Sequence, residues 1–128
     1  MEIIIVNDRS EDDTGVIVNK YEKNNTLIRV LTISDCVLGL SPKKNALTHG
    51  INIANGEIIA VTDADCRVPT QWLKKGVSYF TSETGAVVGL IVLVPTEWFF
   101  SCFMSIDAII NNLIIVGTLG WKHAVACK

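Results

Sequence analysis

Two apolar runs in this chain end on carboxylates. Residues 2–7 (E-I-I-I-V-N) stop at Asp8, and residues 57–62 (E-I-I-A-V-T) stop at Asp63-Ala64-Asp65. Runs this short, continuous and rich in β-branched residues read as strands buried on both faces, the kind that parallel sheets contain. Between them the pattern changes period. Ser10 is placed to cap a helix, with Asp13 three residues on in a capping-box position and acidic residues complementing the helix dipole. That helix is expected to run to about Asn24, with Val16, Ile17 and Tyr21 facing inward. Residues 27–33 read as a second strand and 34–40 as a loop.

Ser41-Pro42 marks a second helix start, serine as cap and proline in the first turn. Ala46, Leu47, Ile51 and Ala54 share one face of it, and Asn55-Gly56 is its expected stop. Residues 57–62 are then a third strand. Pro69-Thr70 opens a third helix to about Phe80, and the apolar run 86–94 reads as a further strand. Strands alternating with helices predict an α/β fold, a mostly parallel sheet flanked by helices with right-handed crossovers.

Ligands of open parallel sheets bind beyond the carboxyl ends of the strands. The expectation is therefore that Asp8 meets Asp63 and Asp65 on one rim. In extended backbone, two residues apart means the same side, so Asp63 and Asp65 would project together. A hard divalent cation such as Mg²⁺ or Mn²⁺ takes one or two carboxylates and completes its shell with substrate phosphates and water. Such a metal neutralises charge on a leaving diphosphate, which suits cleavage of a sugar–phosphate bond. A D-x-D by itself is more often a helix cap or a solvated turn than a metal site; its place directly after an apolar strand raises the case for the site.

Composition narrows the class. At 128 residues, 49% hydrophobic, the chain has room for one domain with a sizeable core. The net charge is −2, and no Lys/Arg cluster exceeds a pair, which excludes a basic nucleic-acid surface. Cys36, Cys66, Cys102 and Cys127 have no C-x-x-C spacing, so neither a zinc site nor a disulfide framework is expected. They read as reduced and mostly buried, implying the cytosol or the cytosolic side of a membrane. Glu2 and Asp8 stand where a signal peptide needs a cationic region and an apolar run. Residues 98–116 are apolar enough to suggest a membrane span, but Asp107, Asn111 and Asn112 are costly in hydrocarbon; a buried or membrane-interfacial helix is the expectation.

The segments E-I-I-I-V-N-D-R-S-E-D-D-T and G-L-S-P-K-K-N-A-L-T-H-G-I-N-I-A-N-G-E-I-I-A-V-T-D-A-D resemble the nucleotide-binding part of family 2 glycosyltransferases, which have the Rossmann-like GT-A fold. The likeness covers roughly residues 2–80. It implies that Asp8 accepts a hydrogen bond from the nucleotide base, usually uracil, that Asp63 binds ribose, and that Asp65 ligates Mg²⁺ or Mn²⁺, with Asp63 beside it. Lys43 or Lys44 would approach the nucleotide, unless both belong to a solvated helix start. Gly39 and Gly50 would allow close backbone approach, Gly50 more as ordinary helix packing. The donor implied is a nucleotide-diphosphate sugar, a UDP-sugar first, with a hexosyl group passed to an unknown acceptor. His49 and His123 read as structural.

Two family features lie outside the chain as given. Relatives begin with another strand, normally central in the sheet, and their catalytic base, an Asp in a later acidic motif, would follow Lys128. The chain is thus expected to be a truncated GT-A domain, a fragment inactive alone. Two other readings are kept. A phosphoacceptor receiver domain also puts carboxylates at strand ends, but needs a Lys where residues 94–96 read V-P-T. A non-catalytic membrane-associated piece would be dominated by residues 98–121. A nucleotidyltransferase of similar fold would need a Gly-rich basic loop, which is not seen.

Overall fold

The computed structural model describes residues 1–37, 39–89, 92 and 98–120. The chain divides into two units, one ending at Val68 and the other starting at Pro69.

The first unit is a βαβ arrangement followed by a helix. Strand β1 (Ile3–Asp8) pairs in parallel with β2 (Ile28–Ile33), in a register running from Ile3 opposite Ile28 to Asp8 opposite Ile33. Parallel neighbours need a crossover, and α1 (Thr14–Asn24) supplies it. Helix α2 (Pro42–Asn52) packs against β1, while α1 lies against β2. The approach of α2 is close: a Cβ on Gly50 would sit 3.0 Å from Val6 Cγ2, so glycine lets the helix seat on the strand. This is a mixed α/β fold with a parallel sheet flanked by helices, as expected.

Side-chain bonds fix both ends of α2. At the amino rim, the Glu2 carboxylate accepts from the Asn55 backbone N–H (2.6 Å) and its amide (3.3 Å), and lies 3.7 Å from Arg29 Nη1. That same nitrogen donates to the carbonyl of Ile53 (3.1 Å). Along β2, Val30 N–H has the side chain of Glu22 as acceptor (2.6 Å), so a carboxylate from α1 satisfies a strand-edge donor.

Several expectations change. Residues 57–62 join no ladder: the described sheet has two strands, and the segment's Ile58, Ile59 and Val61 are exposed. A strand is stable through a neighbour, and no described residue pairs with the free edge of β1. The described part of 86–94 is likewise not strand, and the rest of that run lies outside the described residues. Both described strands are edges, and most of their residues are half-buried rather than buried. Ile33 is its buried apolar residue, and Ile3 is exposed. Val16, Ile17 and Tyr21 of α1, expected inside, are exposed, as are Leu47 and Ile51 of α2. Cys36 is half-buried and Cys66 exposed, rather than both buried.

The second unit contains α3 (Trp72–Ser78), shorter than the expected 69–80, and α4 (Trp98–Gly120), which extends beyond 116. In α4, Asn111 Nδ2 donates to the carbonyl (3.0 Å) and carboxylate (3.1 Å) of Asp107, one turn back, so two of its polar side chains pair along the helix. Among the described residues no helix is long and apolar enough to cross a membrane.

Candidate functional site at the carboxyl rim

Parallel pairing puts the ends of β1 and β2 at one rim, Asp8 opposite Ile33. Asp8 does not stand alone there. Arg9 Nε donates to Asp8 Oδ1 at 2.7 Å and Nη2 to Oδ2 at 3.4 Å, a two-pronged contact. Arg9 holds a left-handed backbone, φ 57°, which costs a residue with a Cβ strain that glycine avoids. The turn that imposes it is tied by Asn7, buried, whose Oδ1 accepts from the Ser10 N–H (3.4 Å). The Arg9 pKa is raised, first by the hydrogen bond to Asp8 and then by its charge, with smaller help from Cys36 and Asp35.

The loop after β2 carries the chain to α2 through Gly39, whose φ of 88° suits glycine. Asn45 holds this loop. It is 0% exposed; its amide donates to the Asp35 carbonyl (3.0 Å), and its Oδ1 accepts from Val37 N–H (3.3 Å). The helix starts as its sequence predicts: Ser41 is the cap, its hydroxyl accepting from Lys44 N–H (3.4 Å), with Pro42 in the first turn.

From that first turn Lys43 reaches Asp63, its Nζ 2.7 Å from Oδ1 and 3.0 Å from Oδ2. The Lys43 pKa is raised, first by this hydrogen bond, then by the Asp63 charge and, more weakly, by Asp65 and Cys66. Lys44 forms no ion pair among the described residues, so of the two lysines it is Lys43 that contacts a predicted site carboxylate. Asp63-Ala64-Asp65-Cys66 is a turn closed by Cys66 N–H on the Asp63 carbonyl (3.1 Å). The strand alternation expected to aim Asp63 and Asp65 to one side therefore does not apply. Asp65 is exposed, and among the described residues its Oδ1 takes only a weak thiol contact from Cys66 (3.8 Å).

The site thus consists of two paired corners, Asp8 with Arg9 and Asp63 with Lys43. No hydrogen bond or ion pair joins the two among the described residues. For a hard cation the donor chemistry fits at Asp65, an exposed carboxylate that no lysine or arginine pairs with among the described residues. Both oxygens of Asp63 face Lys43. Among the described residues no three of His, Cys, Asp and Glu gather as a metal site, so a cation here would draw further ligands from substrate phosphates and water. Arg9, Asn7 and Asn45 were not anticipated. Asn45, a polar residue next to the apolar stripe of a helix, was the one with a visible signal.

The fold is that of an α/β domain, and the carboxyl rim where these carboxylates stand is where open sheets of this class bind their ligands. Comparison with known proteins makes this specific. The glycosyl transferase family 2 pattern matches residues 1–126, and the chain belongs to that family. It is similar to "Probable glycosyltransferase YdaM" of Bacillus subtilis, 33% identical over 85% of this chain and 26% of the relative. It is similar also to "Beta-monoglucosyldiacylglycerol synthase" of Synechocystis sp., 32% identical over 65% of this chain and 17% of the relative. "Glycosyltransferase AglE" of Haloferax volcanii is 31% identical over 69% of this chain and 28% of its own length. The chain spans 17–28% of the length of these relatives. No solved structure matches it.

Proposed function

We propose that this chain forms the donor-binding part of a glycosyltransferase that takes a nucleotide-diphosphate sugar, a UDP-sugar first, and passes its hexosyl group to an acceptor. The observation that carries the reading is the Lys43–Asp63 contact at 2.7 Å. It joins the first turn of α2 to the D-x-D turn, two segments brought together by folding and both implicated by family resemblance.

Each residue has a task in this reading. Asp8, at the end of β1, accepts an N–H of the base. Asp63 accepts ribose hydroxyls, and Asp65 ligates Mg²⁺ or Mn²⁺. Lys43 turns to the diphosphate. The side chains of Lys43 and Asp63 are 75% and 52% exposed, and an ion pair that open is weakly held, so exchanging Asp63 for a phosphate costs little. The bound metal supplies charge neutralisation on the leaving diphosphate. A place at the cytosolic face of a membrane fits exposed Phe103, Ile106 and Leu113 on α4.

Calorimetry of UDP with residues 1–128 tests the reading. In Mn²⁺, Asp65→Ala is expected to weaken UDP by about tenfold or more, since a metal–diphosphate contact is lost. In chelator the two chains should bind alike. Equal UDP affinity for parent and Asp65→Ala in Mn²⁺ would remove Asp65 from the site.

A further inference from the structure

Asp8 is the carboxylate assigned to the base, yet its side chain is only 16% exposed, under an Arg9 that is 43% exposed. Both Asp8 oxygens are engaged by the guanidinium, at 2.7 and 3.4 Å. A nucleobase N–H donor needs one of those oxygens. The contact is not a chance meeting of two long surface chains. Asn7 ties the turn through Ser10 N–H, and the turn sets Arg9 at φ 57°, a backbone strain kept at the strand end.

We propose that Arg9 is a specificity-determining gate of the donor site: its guanidinium occupies Asp8 in the free chain, and a base enters only by displacing it. The gate rests on the donor-binding reading above. A neutral base without phosphates gives the displaced arginine no new partner. A nucleoside diphosphate does, because a guanidinium freed from one anion is suited to another. The gate therefore favours nucleoside diphosphates over nucleosides, although Asp8 itself contacts only the base.

The test measures uridine and UDP affinities by NMR titration for the parent, Arg9→Gly, Arg9→Ala and Asp8→Asn, with folding of each checked by urea unfolding. Arg9→Gly removes the competitor and the backbone strain together; Arg9→Ala removes the competitor alone. Both are expected to bind uridine more tightly than the parent, by roughly two- to fivefold, the worth of an exposed ion pair. UDP should gain less or lose affinity, so the ratio of UDP to uridine affinity falls in both. Raising salt should improve uridine binding in the parent, where it screens the Asp8–Arg9 pair, and leave Arg9→Gly flat. If Asp8→Asn weakens uridine while both Arg9 variants match the parent or bind it more weakly, Asp8 reads the base and the gate is wrong. If Asp8→Asn has no effect, or no chain binds uridine at millimolar concentration, Asp8 does not read the base and the gate falls with it. The Asp65 experiment is independent of that result.

Discussion

The two acidic corners of the rim are built in opposite ways. Asp8 is paired with its own chain neighbour, and a short turn tied by Asn7 holds the arginine over it. Asp63 is paired with Lys43 across 20 residues, and only the seating of α2 brings them together. Exposure follows construction: Asp8 is covered, whereas Asp63 and Lys43 face solvent. A locally built pair survives small shifts of the elements around it. A pair built across the fold reports on them. On the donor-binding reading proposed above, the first corner would discriminate what enters and the second would hand over a lysine at little cost.

Unseating α2 should therefore break the second corner and spare the first. Asn45 is the residue to remove. Replacing it with leucine deletes bonds to the Asp35 carbonyl and Val37 N–H, at a site with no solvent exposure. Leaving those groups without partners is expected to cost about 2–3 kcal/mol, read from the urea midpoint. In the same variant, NMR of the Lys43 ammonium should show its contact with Asp63 lost, while the Arg9 Nε–H signal, held by Asp8, stays in place. An unchanged midpoint, or loss of both signals together, would mean that the corners are not independent.

What could be foreseen in the residues divides along the same line. β1, β2, the Ser41-Pro42 start of α2 and the acidic strand end at Asp8 all follow from local chemistry, namely β-branched runs, a capping serine and proline in a first turn. The choice of Lys43 over Lys44 was not legible, because it depends on the helix phase relative to a turn 20 residues away. The failure at 57–62 has the same origin. E-I-I-A-V-T has strand composition, but a ladder requires a neighbour, and neighbours are a property of the fold. Val16, Ile17 and Tyr21 were assigned inward on helical spacing alone, yet spacing names a face without naming what covers it. Arg9 left no trace because a left-handed conformation is announced by glycine, not arginine.

pH sharpens the comparison further, with a smaller effect. The Lys43 pKa is raised by Asp63, so this contact is fully present below the ordinary lysine value and is lost as pH rises through the raised one. Arg9 stays charged throughout that range, so its pairing with Asp8 persists. Following the Lys43 side chain by NMR into alkali should show it titrating at higher pH in the parent than in Asp63→Asn. Coincident curves would place the lysine elsewhere in solution. The smallest effect belongs to Glu2, which anchors the far end of α2. Its pKa is lowered, first by the Asn55 backbone N–H, then by the Asn55 amide and Arg29. The sign is opposite to that of Lys43: the Glu2 contribution is present above the ordinary glutamate value and lost as pH falls through the lowered one. Glu2→Gln should therefore flatten the acid limb of stability against pH and leave the alkaline limb alone. Because Glu2 acts past the carboxyl end of α2 and Lys43 lies in its first turn, Lys43 in Glu2→Gln should still titrate as in the parent if Asn45 is enough to hold the site end. A downward move of the Lys43 titration in that variant would show that α2 responds as one rigid lever, and that the exposed corner is positioned from both of its ends.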